Sequence, residues 1–196
     1  MSTKQQIKPF RSKADIDPKM DGVLFINIYS RAATRLGQKL SHFAQSPFHH
    51  PYFGPFQSME GFWFYMKTGR IDDRLRYMYG YKAKQYGREL KMVRYQHFQE
   101  DILAANYQKI ISNKPLMDAF VNSTLPFTHY YLHTPKVGVE VPDGYEVKAD
   151  VIFPPNSGWL IDGFEDIRTA LKEGRIPQCW IDAEKRYVLN VTDRIE

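Results

Sequence analysis

Residues 58–69 constrain this chain more than any other stretch, because their pattern fits a buried helix and little else. Met59, Phe62, Trp63 and Met66 recur at three- and four-residue spacing, the period of one helical face. Gln57 and Ser58 can cap the start, and Lys67-Thr68-Gly69 supplies a stop, with Gly69 as the C-terminal cap. Such a helix has to bury its rings against other elements, and the chain offers those in short, punctuated pieces. Residues 23–29 (VLFINIY) read as a buried strand. Residues 40–55, with three prolines, a histidine pair and Gly54, read as a loop with local anchors.

A second helix is expected from Asp72 toward Tyr86, interrupted near Gly80 and punctuated by Gly87. Over residues 95–111 Phe98, Ile102, Ala105 and Ile110 mark a third buried stripe, and residues 115–122 make a short helix. Five prolines in residues 124–158 predict loop with short strands. Residues 160–173 are amphipathic and closed by Gly174. Residues 178–191 (QCWIDAEKRYVLNV) read as a β-hairpin turning at Ala183-Glu184-Lys185. The layout is α+β, a mostly helical single domain with a small β component. Its 196 residues suit one domain over residues 21–196, preceded by an extended arm over residues 1–20, which lack periodicity and contain Pro9 and Pro18.

No apolar run approaches the roughly 18 to 20 residues of a membrane span, so no membrane partner is expected. The N-terminus is too polar for a signal peptide's apolar core. Cys179 is the only cysteine, and a disulfide needs two. A cytoplasmic setting is the expectation. Charge is unevenly spread: residues 67–94 hold nine basic and three acidic side chains, a net +6, against +5 for the whole chain. Tyr77, Tyr79, Tyr81, Tyr86 and Tyr95 interleave or adjoin these charges. Cations mixed with flat rings suit phosphates and bases, so DNA or RNA is a candidate partner for the Lys67–Arg94 stretch; a solvated helix face with tyrosines packed beneath is the alternative.

Glu60 and Lys67 are the candidate chemical pair. Seven residues on a helix return to within roughly 20° of the same direction, so acid and amine share a face, with Trp63 and Phe64 in the turn between. Rings exclude water, and desolvation raises a carboxylic acid's pKa and lowers an amine's. Both shifts favour proton transfer or nucleophilic chemistry near neutrality. The plain alternative is two charges at the rim of a core helix. His129 and His133 have a spacing that could serve a metal on a helix, but Pro126 and Pro135 flank them and no third ligand is evident. His49 and His50 lie in a proline-bordered loop, and Cys179 has no evident partner. Neither GxGxxG nor GxxxxGK[ST] occurs, which disfavours Rossmann dehydrogenases and P-loop nucleotidases.

Read in order, several segments resemble the NADAR family, whose members adopt the YbiA-like fold. Ile26-Asn27-Ile28-Tyr29-Ser30 is similar to a family strand of the form INFYS. Leu40-Ser41-His42-Phe43-Ala44, followed by Pro47, resembles FSNFA…P. Phe56-Gln57-Ser58-Met59-Glu60, then Lys67, resembles the P[ST]SEH helix start with a lysine seven residues after the glutamate. Ala83-Lys84-Gln85-Tyr86-Gly87-Arg88, then Arg94-Tyr95, resembles the element AxxxGR followed by an Arg-x-Asp/Asn-Trp sequence, and residues 102–123 match a helix with an NPxLxxxLxxT-like end. The resemblance covers roughly residues 23–125. His42 stands where the family has Asn, Gly61 where it has His, Tyr95 where it has Trp, and Asp150 begins a counterpart of a D-x-x-W pattern.

The resemblance implies an N-glycosidase cleaving a ribose–base bond in an ADP-ribosylated or phosphoribosylated substrate, with removal of ADP-ribose from guanine the leading expectation. It implies Glu60 as proton carrier or stabiliser of the sugar cation, Lys67 as nucleophile or phosphate-side cation, and Asp150 as an aid to water or a ribose hydroxyl. Arg31, Arg88 and the backbone near Ser30 would hold phosphate, while Trp63, Phe43 and Tyr95 would enclose a base. Asn27, Tyr29 and Gly87 complete the implied substrate-binding set. No metal or other cofactor is called for. The competing readings are a catalytically silent ADP-ribose- or nucleotide-binding module of the same fold, and a nucleic-acid-binding protein in which the basic face dominates.

Overall fold

The computed structural model describes residues 16–133 and 150–192, in which helices predominate over three two-stranded sheets. Helix α2 (Met59–Lys67) lies at the centre. The Ser58 hydroxyl accepts from the Gly61 amide at 3.0 Å and donates to the Met78 carbonyl at 3.0 Å, so one side chain caps the helix and anchors the chain crossing over it. Gly69, at φ +79°, ends it in the left-handed conformation. Met59, Phe62, Phe64, Tyr65 and Met66 are all buried.

Two glycines let neighbours approach α2 closely. A Cβ on Gly61 would lie 2.3 Å from the Leu75 carbonyl oxygen, and one on Gly87 would lie 2.2 Å from the Phe64 ring. The expected helix over residues 72–86 is two elements: a 3-10 turn over Asp73–Tyr77, capped by Asp72, and helix α3 (Gly80–Glu89). The break falls at Gly80, whose φ of +54° reverses the path. Helix α4 (Phe98–Ile111) is buried along most of its length and packs against α2, α5 (Lys114–Asn122), α6 (Gly158–Lys172) and α7 (Gln178–Thr192).

The last of these corrects the sequence reading, since the expected C-terminal β-hairpin is helix α7. Trp180, Ala183 and Tyr187 are buried, and their three- and four-residue spacing is a helical stripe. Ala183, at the start of the expected turn, faces the core. Arg186 donates to the buried Asp101 of α4 at 2.6 Å, fixing the register of the two helices.

The strands are short. β1 (Ile26–Asn27) pairs in parallel with β4 (Phe127–Thr128), β2 (Phe48–His50) with β3 (Gly54–Phe56) as a hairpin, and β5 (Tyr131–His133) with β6 (Asp150–Ile152) antiparallel. Of the strand expected over residues 23–29, Val23 and Leu24 are exposed and outside any strand. The expected loop over residues 40–55 holds β2 and the start of β3, and it follows helix α1 (Arg35–Leu40), which the sequence reading missed. Of the proposed extended arm, residues 1–15 lie outside the described residues. Ile16 is buried in a small cluster with Phe25 and Tyr130, and Pro18–Met20 form a 3-10 turn, so the arm's end packs on the fold. Among the described residues no helix is long and apolar enough to cross a membrane.

Candidate functional site around Glu60

Glu60 is the second residue of α2, with its amide donating to the His42 carbonyl at 2.9 Å. Its carboxyl is 8% exposed, and among the described residues it has no hydrogen-bond or ion-pair partner. Burial raises its pKa from 4.5 to about 7, against the opposing pull of Lys84, Arg88 and Lys67. Desolvation outweighs three nearby cations. A carboxyl balanced between its two forms near neutral pH can both give and take a proton.

Lys67 extends across rings instead of pairing with Glu60. Its amine lies 5.2 Å from the Trp63 centroid and 5.6 Å from that of Phe98, a cation–π arrangement. Trp63 is the hub of the wall: Phe98 meets it edge-on at 4.7 Å, Trp159 stacks at 6.2 Å and 17°, and His42 tilts against it at 5.5 Å. Lys84 sits 5.3 Å from the Phe43 centroid. Tyr131 feels the Glu60 charge and contacts both Tyr29 and His129 through its ring.

His42, Lys84, His129, Tyr131 and Trp159 are therefore neighbours of Glu60, or of its ring wall, that sequence reasoning did not single out as site residues. His42 is held neutral, with its pKa lowered to about 3, first by burial and then by the charge of Lys109. The Asn106 amide nitrogen donates to the Ile102 carbonyl at 3.0 Å and lies 3.1 Å from His42 Nε2. An amide NH2 cannot accept, so Nε2 must, and the imidazole proton resides on Nδ1. Nitrogen NMR of the folded protein should show His42 neutral and Nδ1-protonated from about pH 8 down to about pH 5. An imidazolium signal in that range would contradict this geometry. Lys109, itself buried, donates to the Leu40 and Ser41 carbonyls at 3.2 and 3.1 Å, fixing the chain just before His42.

The other expected site residues are distributed unevenly. Tyr29 adjoins the site through Tyr131, whereas Ser30 and Arg31 are exposed on the following loop. Asn27 is spent on the fold: its side chain donates to the Tyr130 carbonyl at 3.2 Å and accepts from the Tyr130 amide at 3.1 Å. Gly87 serves the α2–α3 contact, and Arg88, one residue on, is exposed yet acts on Glu60. Tyr95 donates to Asp101 at 2.5 Å, on the side facing α7. Asp150 pairs with His133 at the end of the β5–β6 ladder and is exposed.

A cavity of about 160 Å3 opens beside His129, walled by Phe153, Pro154, Ser157 and Gly158 among others. Trp159, which stacks on Trp63, directly follows this wall in sequence. His129 anchors it through Nδ1, 2.7 Å from the Ile28 carbonyl, while His133 lies on exposed strand, so the two do not form a helical metal pair. No cluster of three or more potential metal ligands occurs among the described residues. Comparison of the chain with protein-family models, with curated proteins and with solved structures returned no match.

Proposed function

We propose that this protein is an N-glycosidase that hydrolyses a ribose–base bond, with ADP-ribosylated guanine as its substrate. The observation that carries the reading is Glu60: a buried carboxyl with a pKa near 7, flanked by three cations and a ring wall. In such hydrolysis the C1′–N bond breaks, its electron pair leaves with the base, and positive charge develops on the sugar. Glu60 in its acid form protonates the departing base. As the resulting carboxylate it steadies the sugar cation and then takes the proton of the water that adds to C1′. Lys84 and Arg88 suit the phosphates, and Trp63 with Trp159 suits a flat base. A cytoplasmic setting belongs to the same proposal and rests on the lone cysteine.

A second reading is a module of the same build that binds ADP-ribose without cutting. It is favoured by the exposure of Asp150 at the end of the β5–β6 ladder, in contrast to the buried Glu60. Incubation with guanine-ADP-ribosylated oligonucleotide separates the two. Released ADP-ribose and restored guanine support the enzyme, whereas calorimetric binding of ADP-ribose without release supports the module.

A further inference from the structure

A second concavity lies where the 3-10 turn leads into α3. It is a surface groove of about 420 Å3 lined by Arg74, Tyr77, Met78, Tyr79 and Lys82. Tyr77 is 71% exposed and Tyr79 44%, and Tyr81 beyond them is 69% exposed. The sequence alternative in which these rings pack beneath a solvated face therefore does not hold for Tyr77 and Tyr81, and Tyr79 is only partly covered.

The spacing of the two groove tyrosines is set by the backbone. Met78 between them is extended, at φ −102° and ψ 155°. An extended residue separates the Cα atoms of its two neighbours by roughly 6.6 to 6.8 Å. Both tyrosines are exposed from that stretch of chain. The stretch is anchored at Met78, whose carbonyl accepts from the Ser58 hydroxyl at 3.0 Å and lies against Gly61.

Charge points the same way. Lys82 has no ion-pair partner among the described residues, whereas Arg74, 4.9 Å from the Tyr86 centroid, is paired with Asp72. Lys84, two residues beyond Lys82 and on a different face of α3, is among the cations acting on Glu60. A protein partner of ordinary apolar character would find one methionine and no aliphatic residue here.

We propose that this groove binds single-stranded nucleic acid, with Tyr77 and Tyr79 stacking on bases and Lys82 taking a phosphate. The proposal deepens the glycosidase reading by giving the site a hold on a strand, and it can be tested apart from it. Fluorescence anisotropy of the full chain with labelled, unmodified DNA and RNA single strands of about twelve nucleotides should show binding. The double variant Tyr77→Ala/Tyr79→Ala should bind about tenfold or more weakly, and Tyr77→Phe/Tyr79→Phe should bind like wild type, because stacking needs the ring and not the hydroxyl. An abasic strand should bind the wild type as weakly as an intact strand binds the alanine variant.

Preference between the DNA and RNA arms identifies the source of the strand. Equal binding by the folded alanine variant, equal binding of duplex and single strand, or no binding of either single strand would overturn the proposal. Strand binding without ADP-ribose release from modified DNA leaves the groove standing and removes the glycosidase. Release from a short modified nucleotide without strand binding does the reverse.

Discussion

Glu60→Gln protein should melt well above wild type at pH 8 and close to wild type near pH 4. The carboxyl's pKa is about 7 in the folded protein against 4.5 for an unperturbed glutamate, so the folded chain binds this proton more tightly than the unfolded chain. The stability that depends on it is fully present below about pH 4.5 and is lost as pH rises through about 7. The separation between 4.5 and about 7 corresponds to on the order of 3 kcal/mol at most. Glutamine mimics the neutral acid at every pH, so the variant escapes the loss, by on the order of 5 to 10 °C in Tm for a domain of this size. His42 and His50, whose pKa values fall to about 3 through burial, contribute the opposite slope, but both remain in the variant and cancel in the difference. Paired thermal melts across this range check the effect; equal melting at pH 8 would mean that the Glu60 charge is solvated in the folded protein.

The second large effect is steric. Gly61→Ala should destabilise the fold by about 3 kcal/mol, read as a lowered denaturation midpoint. The added Cβ would sit 2.3 Å from the Leu75 carbonyl oxygen and 3.1 Å from that of Met78. Both atoms are backbone, so no flexible side chain can yield. Gly174→Ala is the contrasting case. Nothing lies within 4 Å of its added Cβ, and only its φ of +66° opposes the change, at a cost of about 1 kcal/mol. Denaturant melts of the two variants should separate them, and an unchanged midpoint for Gly61→Ala would contradict the close crossing over α2. That crossing leaves no room for a side chain after Glu60 in this backbone.

Local signals in the sequence predicted local structure well. The Ser58 cap, the apolar stripe of α2 and the stop at Gly69 all depend on residues within one or two turns, and each is found where its chemistry points. The α7 segment misled because Cys179-Trp180-Ile181 and Tyr187-Val188-Leu189 carry strand-favouring residues on either side of a polar centre. Burial against α4 selects the helical stripe of Trp180, Ala183 and Tyr187 instead, a tertiary choice that propensity does not encode.

The same limit governs the site. Glu60 was legible from its position on α2, but His42, His129, Tyr131 and Trp159 come from a loop, the β4–β5 region and α6, brought together only by folding. Tyr95 is close to the basic stretch in sequence, yet the buried Asp101 claims its hydroxyl. Asn27 resembles a binding residue in its motif, and it is the paired hydrogen bonding to the Tyr130 backbone that reveals its structural duty.

The most direct measurement is a time course of free ADP-ribose from a guanine-ADP-ribosylated oligonucleotide, run with wild-type and Glu60→Gln protein side by side and folding verified for both. Wild type should release ADP-ribose, and the variant should be slower by about a thousandfold, the scale expected for loss of a positioned acid–base group. No release by folded wild type, or equal release by the two proteins, would contradict the assignment of glycosidic cleavage to Glu60.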